Sequence, residues 1–165
     1  MPSTSTIIAS FTREANATPY TAGDVVSAAA ALVVPAMVFP TASRFFGGSG
    51  NIVAARVVTN TKSVTPRFRI HLFSDNTATV SGDNLPHREL YADLSKRCGY
   101  FDMPAMITGS DVTNSDMSRA LLSGMKIPYN CAPQNMSLFV VLEALDAFTP
   151  GSGSAFSLVL VTEPN

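Results

Sequence analysis

Two histidines, two cysteines and three short acidic or glycine-rich stretches are the parts of this chain that could do chemistry. His71 and His87 stand in neither an HxxxH nor an HxH spacing, and Cys98 and Cys131 form no Cys-x-x-Cys pair, so the pattern offers no structural zinc site. His87, Glu89 and Asp93 are close enough in sequence to be imagined as an acid–base group. They lack a nucleophile and a second carboxylate at a known distance, which general acid–base chemistry needs. Asp111 to Asp116 reads DVTNSD. Its acids and Asn fall at the wrong places for a calcium loop and no glycine stands at the sixth, so it reads as a solvated loop. Gly47-Gly48-Ser49-Gly50 lacks the lysine that follows a phosphate-cradling loop and reads as a turn. The expectation is a chain with no catalytic residue, no cofactor and no metal, hence not an enzyme.

The elements that would position such residues are mostly strands. Met136 to Asn165 holds two apolar runs around Thr149-Pro150-Gly151-Ser152-Gly153-Ser154, the pattern of a hairpin with a several-residue loop. In the second run Phe156, Leu158, Leu160 and Thr162 alternate with Ser157, Val159, Val161 and Glu163, one set to each face. The first run is apolar on both faces, which suits a strand covered on both sides. Leu138, Val141, Leu142, Leu145 and Phe148 also fit helical spacing.

Upstream, Met1, Pro2, Ser3, Thr4 and Ser5 read as a small, flexible arm and Thr6 to Arg13 as a first strand. Asn16 to Asp24 is a punctuated loop, Val25 to Leu32 is ambiguous between helix and strand, and Pro35 to Phe46 is a strand broken by Pro40. Asn51 to Thr61 is rich in β-branched residues. In Thr65 to Phe73 an apolar face of Phe68, Ile70 and Leu72 backs a polar one of Arg67, Arg69 and His71, a solvated or ion-paired sheet face. His87 to Lys96 fits a short helix and Cys98 to Ile107 a strand. Thr108 to Asp116 reads as a loop, Met117 to Leu122 as a helical turn stopped by Gly124, and Lys126 to Ala132 as another strand. Counting gives about eight strands at sandwich spacing with no alternation of strand and helix. The expected fold is a single all-β, antiparallel sandwich over residues 1–165, with Phe68, Ile70, Leu72, Leu138, Val140, Phe156, Leu158 and Leu160 in its core.

Composition narrows the partners. Charged residues are 14% of the chain against about 25% in an average globular protein. So few charges suggest that a partner covers some of the surface. A net charge of −1 argues against electrostatic binding to nucleic acid or anionic membrane. The longest apolar run, Val25 to Phe39, falls short of the roughly 20 residues of a membrane span and contains Pro35. No signal peptide is apparent, and two cysteines are too few for a disulfide framework, so both are expected as free thiols in a reducing compartment.

Several segments resemble the decoration, or cement, proteins of tailed-bacteriophage heads. They are Tyr20-Thr21-Ala22-Gly23-Asp24-Val25-Val26, Gly48-Ser49-Gly50 leading into Ile52 to Val57, Phe68 to Phe73, Tyr100 to Pro104, and Leu145 to Gly153 with Phe156 and Leu158. In order and spacing they span about residues 7 to 163. The resemblance implies a jelly-roll-like sandwich on the exterior of an icosahedral capsid, where it ties subunits of the major capsid protein together after assembly in the host bacterial cytoplasm. Such proteins are typically homodimers or homotrimers at symmetry axes and carry no enzymatic residues. With Met1 to Ser5, the residues Arg13, Tyr20, Phe45 and Phe46 are then candidate contacts to the capsid or to a second copy. The alternatives are another virion β-module, such as a tail or glycan-binding domain, and a jelly-roll small-ligand binder or enzyme. The missing Trp weakens the glycan reading and two distant histidines weaken the last.

Overall fold

The computed structural model describes residues 3–28, 37–109 and 116–165. Ten strands carry it: β1 (Ser5–Thr12), β2 (Val25–Val26), β3 (Met37–Phe39), β4 (Ser49–Thr59), β5 (Phe68–Phe73), β6 (Arg97–Asp102), β7 (Ile107–Thr108), β8 (Ser118–Asn130), β9 (Leu138–Ala144) and β10 (Ala155–Pro164). One sheet runs β1-β10-β4-β8-β7. The other runs β2-β9-β5-β6, with β3 beside β2 on the same edge of β9. Every pairing is antiparallel. With β2 and β3 taken as one interrupted strand and the short β7 set aside, eight strands remain. The first lies beside the last, and the chain crosses between sheets in the order of a jelly roll. All-β, antiparallel and sandwiched, this is the expected fold class.

The alternation read in the sequence builds the core. Phe156, Leu158 and Leu160 of β10 face inward with Ile7, Ala9 and Phe11 of β1 and Ile52, Ala55 and Val57 of β4. Phe68, Ile70, Leu72, Leu138 and Val140 meet them from the second sheet, and all eight expected core residues are fully buried. Aromatic rings close one end. Phe68 stands edge-on to both Phe156 and Phe148, at 5.9 and 5.8 Å between centroids, and Tyr20 stacks on Phe148 at 4.8 Å. β9 is buried along nearly all its length because β5 flanks it on one edge and β2 and β3 on the other, so the strand reading of this run holds over the helical one. A smaller cluster of Val25, Phe73, Ala78, Val80, Phe139 and Val141 covers its outer side.

Three local expectations are corrected. The apolar run Cys98 to Ile107 is two strands: β6 belongs to one sheet and β7 to the other, and Pro104 lies in the crossing between them. Met117 to Leu122 is not helical. It begins the 13-residue β8, which pairs with β4 along its whole length and absorbs Gly124, at φ +72°, in a bulge opposite Val53. His87 to Lys96 holds only a 3-10 turn, Tyr91–Lys96, with Asp93 accepting from the backbone N–H of Thr79 and from Lys96. β3 stops before Pro40, and Thr41 to Phe46, expected to carry the strand on past that break, form turns and bends instead, while residues 29–36 lie outside the described residues.

Candidate functional site

The candidate contacts divide sharply. Phe45 and Phe46 are 57% and 68% exposed on the loop between β3 and β4. Arg44 of the same loop donates a hydrogen bond to Ser3 Oγ, which draws the start of the chain to this loop. Both lie at the end of the sandwich where β1 begins beside the end of β10 and β4 begins opposite the end of β8. Thr4 is exposed there, whereas Ser5 already belongs to β1, paired with Thr162; Met1 and Pro2 lie outside the described residues.

Arg13 and Tyr20, by contrast, are interior residues with 3% and 1% exposure, which corrects their assignment as surface contacts. Asp83 holds both: Arg13 Nη2 donates to Oδ2 at 2.9 Å, the Tyr20 hydroxyl to Oδ1 at 2.5 Å, and the backbone N–H of Ser27 to Oδ1 at 2.9 Å. The Arg13 guanidinium also lies 4.6 Å from the centroid of the Tyr20 ring. Burial, then the neighbouring carboxylate, pushes the Tyr20 phenol far above its ordinary range, so it remains a donor.

The outward face of the five-stranded sheet carries exposed apolar side chains. The register aligns Ile8, Val159, Arg56 and Leu121 in one row, and Ser10, Ser157, Val58, Arg119 and Ile107 in the next. Ile8, Ile107 and Leu121 are each about three-fifths exposed, at 59%, 61% and 63%. Arg56 and Arg119 make no side-chain hydrogen bond or ion pair among the described residues. They flank a groove of about 550 Å³ walled by Pro104, Ala105, Ile107 and Leu121. Beside it, β7 pairs only with Ser118 and Arg119 of β8, and among the described residues no further strand pairs with that edge, although Cys98 of β6 donates to the Asn130 carbonyl at its far end. Two guanidiniums without an ion pair among the described residues thus stand amid apolar side chains.

A second cluster lies on the outer side of the other sheet. His71 on β5 was expected on a solvated or ion-paired face, and Arg67 and Arg69 there do pair with Asp146 and Asp102, at 2.7 Å each. His71 shares that face and is paired as well, its Nε2 lying 2.6 Å from Glu143 Oε2, but it is buried rather than solvated because His87 covers it. His87 stacks on it with centroids 3.9 Å apart, and its Nε2 is 3.7 Å from Glu89 Oε1. Burial lowers both histidines to about 4, so both imidazoles are neutral at pH 7, and burial also raises the Glu143 carboxyl. Asp93, the third member of the acid–base grouping, is instead turned to Lys96. Sequence spacing hid this pair because β5 and the loop at residues 86–89 meet only in space. The acidic stretch Asp111 to Asp116 lies, but for Asp116, outside the described residues. Both cysteines are free, with their thiols pushed up by burial.

No protein-family model and no curated protein matches the chain. Among solved structures it is similar to the capsid of Ralstonia phage GP4, at 15% identity and a TM-score of 0.41, over 98% of this chain and 84% of that one. That likeness is too loose to carry an argument about function.

Proposed function

We propose that this chain is a structural protein of a bacteriophage head, a decoration protein that seats the outward face of its five-stranded sheet on a shell of major capsid protein. The reading starts from the resemblance of its segments to the decoration proteins. The observation that carries it further is that face, where Ile8, Ile107 and Leu121 stand exposed around Arg56 and Arg119. Each such aliphatic side chain contributes about 1.5–3 kcal/mol when fully buried. The arginines fit carboxylates on the capsid subunit and set orientation more than affinity. The exposed Phe45–Phe46 loop, with Ser3 and Thr4 beside it, serves contacts between copies of this chain. Two or three linked copies meet several capsid subunits at once, so modest interfaces combine into tight attachment.

Binding to the assembled lattice alone stabilises that lattice by mass action. Co-sedimentation with assembled shells is the test, followed by heating shells with and without the protein. The expected result is retention on shells, far weaker binding to isolated capsid subunits, and a higher disruption temperature. Leu121→Asp and Arg56→Glu should abolish retention while the free protein stays folded. Equal affinity for subunits and shells, or retention unaffected by both substitutions, overturns the reading and favours a different virion β-module.

A further inference from the structure

We propose that His71, His87 and Glu89, backed by Glu143, form a binding site for a divalent transition-metal ion of the zinc class. One ligand atom from each of His71, His87 and Glu89 lies within 4.8 Å of the others. The His87 side chain is 94% buried by its 6% exposure, and neither of its ring nitrogens has a hydrogen-bond partner among the described residues. A buried imidazole with both nitrogens unsatisfied costs stability unless something fills the gap. The same ring lines an open cleft of about 400 Å³ together with His71, Glu89 and Glu143, so an ion can reach it from solvent.

The donor set selects the class of ion. Two imidazoles and a carboxylate suit zinc and its neighbours, whereas calcium and magnesium require oxygen ligands. With bonds near 2.0–2.1 Å, tetrahedral ligand atoms lie about 3.4 Å apart. The 3.7 Å between His87 Nε2 and Glu89 Oε1 is near that spacing; to close the wider gap Glu89 exchanges its pair with Arg97 for the ion, and the imidazoles, stacked 3.9 Å apart, turn so that their nitrogens converge. Glu143 lies 2.6 Å from Nε2 of His71 and would orient that imidazole for binding an ion through Nδ1. Asp102 and Glu89 are paired with Arg69 and Arg97, which leaves Glu143 as the carboxylate of the cleft without an arginine ion pair among the described residues. A bound ion would pin the loop at residues 86–89 to β5 and β9. This inference does not depend on the shell-binding reading.

The experiment uses full-length protein stripped with a chelator and titrated with zinc or cobalt(II) ions alone, read by calorimetry and by the visible spectrum of bound cobalt. The expected result is one ion per chain, a tetrahedral cobalt spectrum and a rise in melting temperature with zinc. His87→Ala should weaken binding at least tenfold and Glu143→Gln about 10–100-fold. Glu89→Gln, at an exposed site, tests the ligand set in a protein whose fold is unchanged and should also weaken binding at least tenfold. No stoichiometric binding overturns the proposal. Binding that survives His87→Ala and Glu89→Gln but is lost on Cys98→Ser also overturns it, by moving the ion to the thiols.

Discussion

Asp83 shows how a single polar residue can be worth more to the fold than to any surface. Its carboxylate is met by Arg13, Tyr20 and the Ser27 backbone, and the Arg13 and Asp83 side chains are 0% and 4% exposed. Asp83→Ala strips the counter-charge from a guanidinium that stays buried, and should cost about 3–5 kcal/mol in chemical denaturation. Asp146 is the contrasting case. It takes a bidentate pair from Arg67 and the Arg67 backbone N–H, which together lower its carboxyl to about 2, but it is exposed. A lowered carboxyl contributes stability that is fully present above its unfolded value near 3.9 and is lost as pH falls towards 2. Because water screens the pair, the loss should be small. A carboxyl titration followed by nuclear magnetic resonance should place the Asp146 midpoint near 2, and Arg67→Ala should return it towards 4.

At the scale of elements, β10 and β8 divide the work between core and surface. β10 is an interior strand between β1 and β4, and Leu158 is completely buried there. Leu158→Ala should therefore cost about 2–5 kcal/mol, measured by urea unfolding, with the slope unchanged. β8 lies near the sheet edge with Leu121 turned outward, so Leu121→Asp should change stability by less than about 0.5 kcal/mol in the same assay. Gly50 marks where β4 is pressed closest by its neighbours. A Cβ there would stand 2.6 Å from the Tyr129 hydroxyl and 2.7 Å from the Glu163 carbonyl oxygen. Gly50→Ala should destabilise the chain, with a lowered melting temperature, because backbone on β10 would have to shift.

For the whole molecule, the jelly roll leaves two broad outer faces with different characters. The outer side of β2-β9-β5-β6 is covered by the cluster around Phe73 and Phe139 and by ion pairs, whereas the outer side of β1-β10-β4-β8-β7 has exposed apolar side chains and two arginines without an ion pair among the described residues. In the proposed role this apolar face is the one that the shell covers. Adding salt should weaken attachment to shells only partly, since screening acts on the arginines and not on Leu121, Ile107 or Ile8. Light scattering on the free protein should report an oligomer that dissociates in a Phe45→Ser, Phe46→Ser double variant if that loop joins copies.

The sequence by itself determined the fold class and the core. Alternation with period two names the inward residues of β5 and β10 directly, because side chains of a strand must point to opposite faces. Local pattern did not determine which strands belong together. Cys98 to Ile107 reads as one strand, yet β6 and β7 lie in different sheets, and Met117 to Leu122 reads as helix, yet pairing with β4 overrides its propensity. The functional residues depended most on the tertiary structure. Arg13 looks like a surface charge until Asp83, far along the chain, is seen to bury with it. His71 and His87 carry no motif because one sits on β5 and the other in a loop that packs over it. Arg56 and Leu121 become neighbours only through the β4–β8 register. Such contacts are set by pairing between distant segments, and no spacing along the chain encodes that pairing.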